Sequence, residues 1–167
     1  MSNPENQARL RLMRIELIAV GTRSPNWVSE GFKEYEKRLP REWQLVLSEI
    51  PVAHRGKSQS VEKLKEEEGK KMLERLKSGG VVIAMDSRGG DWTTEKLAQY
   101  FSGWLQTASQ VQLMVGGPDG LSQACLQRAD FTWSLSRLTF PHFMVRLLLA
   151  EQIYRAWSVI NHHPYHK

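Results

Sequence analysis

Val81-Val82-Ile83-Ala84-Met85 runs five residues without a polar interruption. So short and so apolar a run suits a β-strand covered on both faces, as in a parallel sheet. The flanking sequence agrees. Upstream, Val61, Leu64, Met72, Leu73 and Leu76 lie along one side of a long charged helix that Gly79-Gly80 ends. Downstream, Asp86-Ser87-Arg88-Gly89-Gly90 reads as a loop. Thr93 or Thr94 can cap a helix carrying Leu97, Tyr100, Phe101, Trp104 and Leu105, and Val111-Gln112-Leu113-Met114-Val115 reads as the next strand. Further out, Ile15, Leu17 and Ala19 alternate in a strand from Met13 to Gly21. A helix follows between Ser24-Pro25-Asn26 and Pro40, then a strand from Trp43 to Ile50 and a basic loop from Pro51 to Ser58. Toward the other end, a short helix spans 121–127, Phe131, Trp133 and Leu135 alternate as a strand, and the last helix runs from His142 to Val159. Strands alternating with helices predict an α/β fold, with one domain over residues 13–167 and residues 1–12 as a disordered N-terminal extension.

The 167 residues are 41% hydrophobic and 25% charged, as expected of a globular chain. No apolar run approaches the ~18–20 residues of a membrane span, and Met1-Ser2-Asn3-Pro4-Glu5 does not resemble a secretory signal. A cytoplasmic protein without membrane attachment is expected. The single cysteine, Cys125, excludes an internal disulfide framework and a multi-cysteine zinc site. A net charge of +5 favours a polyanionic partner without proving one.

Gly116-Gly117-Pro118-Asp119-Gly120 follows the fourth strand, and ligands of open α/β sheets bind beyond the carboxyl ends of strands. Its glycines either admit a ligand close to the backbone or make a tight strand–helix turn. Neither GxGxxG nor GxxxxGK[ST] is present. Trp133-Ser134-Leu135-Ser136-Arg137-Leu138-Thr139-Phe140-Pro141-His142 is a second irregular segment, whose backbone groups could serve a ligand or a plain capped loop. Ser136 lacks the GxSxG elbow of a hydrolase. The tail His162-His163-Pro164-Tyr165-His166-Lys167 could fold over a site or fray, and Pro164 argues against an ordered metal cluster. Glu151 and Arg155 are spaced to pair on the last helix, whose Leu147, Leu148, Ile153, Tyr154 and Trp157 exceed one core face and point to an oligomer.

Ala19-Val20-Gly21, Glu34-Tyr35-Glu36-Lys37-Arg38-Leu39, Gly116-Gly117-Pro118-Asp119-Gly120-Leu121, Leu138-Thr139-Phe140-Pro141-His142, Glu151-Gln152-Ile153-Tyr154-Arg155-Ala156 and Pro164-Tyr165-His166-Lys167 together resemble the large-subunit ribosomal RNA pseudouridine-N3 methyltransferase family. This is the minimal branch of the SPOUT methyltransferases, and the resemblance spans Met13 to Lys167. It implies a parallel α/β sheet with helices on both faces and a C-terminal trefoil knot, which sequence rules alone disfavour. It further implies an S-adenosylmethionine pocket formed by Met85, Gly116, Leu135, Ser136, Arg137, Leu138, Thr139 and Phe140, with no metal. The implied enzyme is a homodimer that methylates a pseudouridine in the intersubunit hairpin of 23S rRNA, in the assembled ribosome. Each site would be completed by the other subunit.

A methyl sulfonium is already electrophilic, so the protein has to position N3 and help remove its proton. His142, which abuts the cofactor segment, is the first candidate base; Tyr165 and His166 come next as tail groups that can close over the target. Arg155 and Lys167 suit phosphate contact or base orientation, and Arg23, Arg55 and Lys57 suit phosphate contact. A Gly116 that faces the cofactor predicts weaker cofactor binding in Gly116→Val. The rival readings are a non-catalytic RNA- or ribosome-binding protein that keeps the fold and a SPOUT enzyme acting on tRNA. Measured S-adenosylmethionine binding separates the first, and the identity of the methylated RNA the second.

Overall fold

Odd-numbered residues of the first strand, Ile15, Leu17 and Ala19, point to one side of a sheet, and Ile18 and Val20 to the other. In the computed structural model, which describes residues 11–167, this strand is β1 (Met13–Val20). The remaining strands are β2 (Trp43–Ile50), β3 (Val81–Asp91), β4 (Gln110–Val115) and β5 (Phe131–Ser134), all parallel in the order β2-β1-β4-β3-β5. The α/β class, the parallel sheet and the helices on both faces are therefore as expected. Helices α1 (Asn26–Arg38), α3 (Thr94–Thr107) and α5 (His142–Ile160) cover one face, where Phe32, Phe101, Trp104, Leu149 and Ile153 pack on Ile15, Leu17 and Leu113. Helices α2 (Val61–Glu74) and α4 (Gln123–Arg128) cover the other, where Met72 and Cys125, with Leu121 just before α4, pack on Ile18, Ala84 and Met114. Cys125 is fully buried, and burial pushes its thiol up, so it acts as a small apolar side chain.

Two elements depart from expectation. The Val61 helix ends at Glu74 rather than near Gly79. Arg75 and Leu76 N–H turn tightly to Met72 and Leu73 carbonyls, and the Lys77 N–H is taken by Gln112 Oε1 at 2.9 Å, so β4 captures the chain that would have continued the helix. The loop expected at 86–90 lies inside one long strand. Met85 and Gly90 both register against Trp133, so residues 86–89 bulge out from β3 and return to the same neighbour.

The second layer contains a polar chain across three strands. Ser48 Oγ of β2 donates to Glu16 Oε1 of β1 at 2.5 Å, and Gln112 Nε2 of β4 donates to Glu16 Oε2 at 3.0 Å. Glu16 and Gln112 are buried.

Residues 1–10, and with them most of the expected extension, lie outside the described residues. Arg11 donates to the main-chain carbonyl of Gln106 at the end of α3. Among the described residues no helix is long and apolar enough to cross a membrane.

Candidate active site

At the carboxyl ends of β3, β4 and β5 the chain leaves the sheet in three irregular segments, and these enclose a cavity of about 450 Å³. The bulge of β3 contributes Asp86, Ser87 and Arg88 beside Met85, and the turn after β4 contributes residues 116–120. Trp133, Ser134, Leu135, Ser136, Leu138, Thr139 and Phe140 form a third wall, and α5 adds His142 and Val145. The volume lies in the range of small-molecule sites, with apolar walls and a few polar groups.

The structure thus brings Met85, Gly116, Leu135, Ser136, Leu138, Thr139, Phe140 and His142 to one cavity. Arg137 differs: its side chain is 91% exposed and pairs with Asp91 at 3.3 Å, outside the lining. Gly116 lines the cavity, and the space its missing side chain leaves is taken by the turn itself. A Cβ there would meet the Gly120 carbonyl carbon at 2.6 Å and the Leu121 nitrogen at 2.9 Å, so the missing side chain makes room for the chain's own turn. That turn is closed by Gly120 N–H donating to Gly117 O at 3.0 Å, and Gly120 sits at φ +86°, where other residues are strained. The turn reading explains Gly116, while the same turn forms a cavity wall.

Main chain is available to a ligand along the third wall. From Arg137 to Phe140, among the described residues, one backbone group finds a partner: Leu138 N–H donates to Ser136 Oγ at 2.9 Å. The others are donors and acceptors without an intramolecular partner, as a ligand held mainly by backbone requires.

His142 begins α5. Burial, aided by the Arg146 guanidinium, holds its imidazole below the ordinary value of 6.5, and the Glu68 carboxylate opposes the effect. The ring is therefore neutral at pH 7 and carries a free lone pair. Arg146, one turn further on, is 1% exposed and donates to the carbonyls of Val20 and Gly21 at 3.1 and 3.2 Å and to Ser24 and Glu49 side chains. It ties the start of α5 to the end of β1.

Arg155, Tyr165 and His166 stand elsewhere. Thirteen residues of helix separate His142 from Arg155, roughly 20 Å, and none of the three lines the cavity. His162, at φ 53°, reverses the chain after α5, with His163 N–H donating to Ser158 O at 2.8 Å. A 3-10 turn, Pro164–His166, then lies along the helix. Tyr165 donates to Glu151 Oε1 at 3.1 Å, its ring packs edge-on against Tyr154 at 4.6 Å, and the Arg155 guanidinium lies 5.1 Å from its centre. Arg155 also makes the expected pair with Glu151, at 2.6 Å. Burial, the Tyr35 hydroxyl and the Glu151 charge all push the Tyr165 phenol up, so it stays protonated. His166 Nδ1 lies 3.5 Å from Ser158 Oγ. The tail is folded back on its own helix rather than frayed.

Sequence reading took Asp86, Ser87 and Arg88 for a plain loop and missed them as cavity residues. The strand-end rule that singled out 116–120 applies equally to 86–88 and would have found them. Among the described residues, no three His, Cys, Asp or Glu side chains come close enough to hold a metal ion.

Comparison with known proteins assigns this parallel α/β domain to a family. The family model described as "Predicted SPOUT methyltransferase" matches residues 13–166, and the chain belongs to the SPOUT methyltransferase family. It is 54% identical over 155 residues to a protein of Marinomonas sp. (strain MWYL1) named "Ribosomal RNA large subunit methyltransferase H", covering 93% of this chain and 100% of the relative. Proteins of the same name from Hahella chejuensis and Methylococcus capsulatus are 51% and 46% identical, each over 93% of this chain and 99% and 100% of their own lengths.

Proposed function

We propose that this methyltransferase uses S-adenosylmethionine to methylate N3 of a pseudouridine in the intersubunit hairpin of 23S rRNA, acting on the assembled ribosome as a homodimer. The observation that carries the reading is the cavity lined by both the glycine turn and residues 138–140, whose backbone is largely unpartnered, with neutral His142 at its edge. The relatives' name supplies large-subunit rRNA as the substrate, and the +5 charge agrees with it.

S-adenosylmethionine, when bound, supplies a methyl group on a sulfonium sulfur, an electrophile that needs no further activation. Leu135, Leu138, Phe140 and Val115 form the apolar walls that would hold it, and the main chain of 116–120 and 138–140 the hydrogen-bonding ones. His142 accepts the N3 proton of the target base on its free ring nitrogen, and Arg146 keeps the helix bearing it in place. Arg155, Tyr165 and His166 are too far from the cavity of their own chain and are assigned to the site of a second subunit. There protonated Tyr165 donates or stacks, and Arg155 contacts phosphate or orients the base. The half-exposed Leu147, Leu148 and Trp157 on α5 support such an interface. A cytoplasmic location follows from a ribosomal substrate.

The trefoil knot belongs to the same proposal. Its support is the course of the chain: from β5 at the edge of the sheet, residues 135–141 return across the strand ends to place α5 between α1 and α3.

The test is methyl transfer from labelled S-adenosylmethionine to assembled ribosomes, separated subunits, free rRNA and tRNA, with the product nucleoside identified by mass spectrometry. Label in one pseudouridine, highest from assembled ribosomes, is expected. Label only in tRNA, or none despite cofactor binding, overturns the reading.

A further inference from the structure

The segments that build the cavity carry exposed guanidinium groups, each tied to a carboxylate. Arg55, on the basic loop after β2, pairs with Asp119 of the glycine turn at 2.5 Å. Arg88 pairs with Asp86 within the β3 bulge at 3.0 Å, and Arg137 with Asp91 at the end of β3 at 3.3 Å. The three arginine side chains are 51%, 78% and 91% exposed.

Pairs this exposed contribute at most ~1 kcal/mol each to stability. They are poor struts, but they hold three planar forks at the edge of one cavity. Arg55 is carried on a loop fixed to the wall: Ala53 N–H donates to Glu68 Oε1 at 3.0 Å, and Glu68, 4% exposed, lies 3.5 Å from where a Gly117 Cβ would stand. A guanidinium binds phosphate in the same two-pronged way as carboxylate. A polynucleotide presents several phosphates together, whereas Asp119 and Asp91 each hold one guanidinium nitrogen; Asp86 holds Arg88 more firmly, through Nε at 3.0 Å and Nη2 at 3.2 Å.

We propose that Arg55, Arg88 and Arg137 form a phosphate-binding collar at the cavity mouth, exchanging their aspartates for phosphodiester groups of the RNA backbone. The proposal rests on the reading that RNA is the substrate, and it names where the strand is held. No bond or proton moves: each arginine stays charged, and each aspartate returns to water as a carboxylate. Arginine and aspartate should then have opposite effects, because removing the aspartate frees the fork for phosphate.

The experiment uses the full-length protein, with assembled ribosomes as the probe. The triple variant Arg55→Gln, Arg88→Gln, Arg137→Gln is expected to raise the ribosome KM at least about thirtyfold at saturating S-adenosylmethionine. The salt dependence of log KM should flatten by about 2, at 0.7–0.9 per phosphate contact. Asp91→Asn should lower the ribosome KM about threefold. S-adenosylmethionine affinity, measured by calorimetry, should stay within about twofold in Arg55→Gln and Arg137→Gln. Should the triple variant fail to fold, single Arg137→Gln carries the test, with a three- to tenfold rise in KM expected. An unchanged KM in the folded variants overturns the collar alone. So does Asp91→Asn weakening binding as Arg137→Gln does, or cofactor affinity falling in step with ribosome affinity. A wild-type protein that methylates no rRNA overturns the substrate reading as well.

Discussion

At its N-terminal end α5 meets a cavity enclosed by three irregular segments; at its C-terminal end it meets a cluster of aromatic and charged side chains. Around His142 the shape is set by turns, and the critical distances run between backbone atoms, such as the 2.6 Å from a would-be Gly116 Cβ to Gly120. Around Tyr165, on the folded-back tail, the shape is set by Tyr35, Glu151, Tyr154 and Arg155, which come from two helices. The first end should tolerate changes in outward-facing side chains but no added Cβ at its turn. The second should tolerate backbone adjustment but not loss of its ring or carboxylate.

The largest expected effect tests whether the cavity end does the proton chemistry. His142→Gln should lower methyl transfer about a thousandfold at saturating ribosomes, about 4 kcal/mol, with cofactor affinity little changed. In the unmodified protein the acid limb of the rate profile should fall below pH 6.5, because burial holds the imidazole below its ordinary value. The sign for stability is the same. The contribution of neutral His142 is complete above the unfolded value near 6.5 and is lost as pH falls through the lower folded value. A transfer rate in His142→Gln within tenfold of the wild type would move the base to another residue.

Deleting residues 164–167 tests the far end. Transfer should drop at least about a hundredfold, about 2.7 kcal/mol, while calorimetry shows nearly unchanged cofactor affinity and sedimentation an unchanged dimer. Because Tyr165 is packed and hydrogen-bonded, a stability loss of about 1–2 kcal/mol should accompany this. Collapse of cofactor binding would join the two ends into a single site within one chain.

Gly116→Val sharpens the contrast at the cavity end. The branched side chain meets backbone that cannot move aside, so denaturant unfolding should show about 2 kcal/mol of destabilisation, with cofactor loss following from the deformed turn. Unchanged stability with weakened cofactor binding would restore the ligand-facing role for this glycine. Tyr165→Phe is the mildest change. Glu151 keeps Arg155 and Gln152 as partners, so about 1 kcal/mol is expected from urea titration.

Much of the cavity end was legible because its signals are local. The apolar run 111–115 followed by a Gly-Pro-Asp-Gly turn marks a strand end, and Thr93 caps α3 through Lys96 N–H at 3.1 Å. What was illegible depended on partners distant in sequence. The β3 bulge returns to pair because Trp133 of β5 waits on the other side. The direction of Arg137 is set by Asp91, 46 residues away, so its place in the loop could be read and its absence from the lining could not. The Tyr35–Tyr165 contact joins residues 130 apart, and no tail sequence announces it.

The Ser48–Glu16–Gln112 chain has a further consequence, for how β1, β2 and β4 find one another. Side chains alternate between faces, so a one-residue slip of β1 would carry the Glu16 carboxylate from its donors into the aromatic layer of Phe101 and Trp104. An unpartnered buried carboxylate costs several kcal/mol, more than a slipped apolar strand would lose by its pattern alone. The polar chain thus acts as an alignment key, rejecting shifted assemblies of a sheet whose central strands lie 96 residues apart. Glu16→Leu should leave a stable sheet and admit misaligned, aggregation-prone pairings during refolding, seen as a lower yield of monodisperse protein.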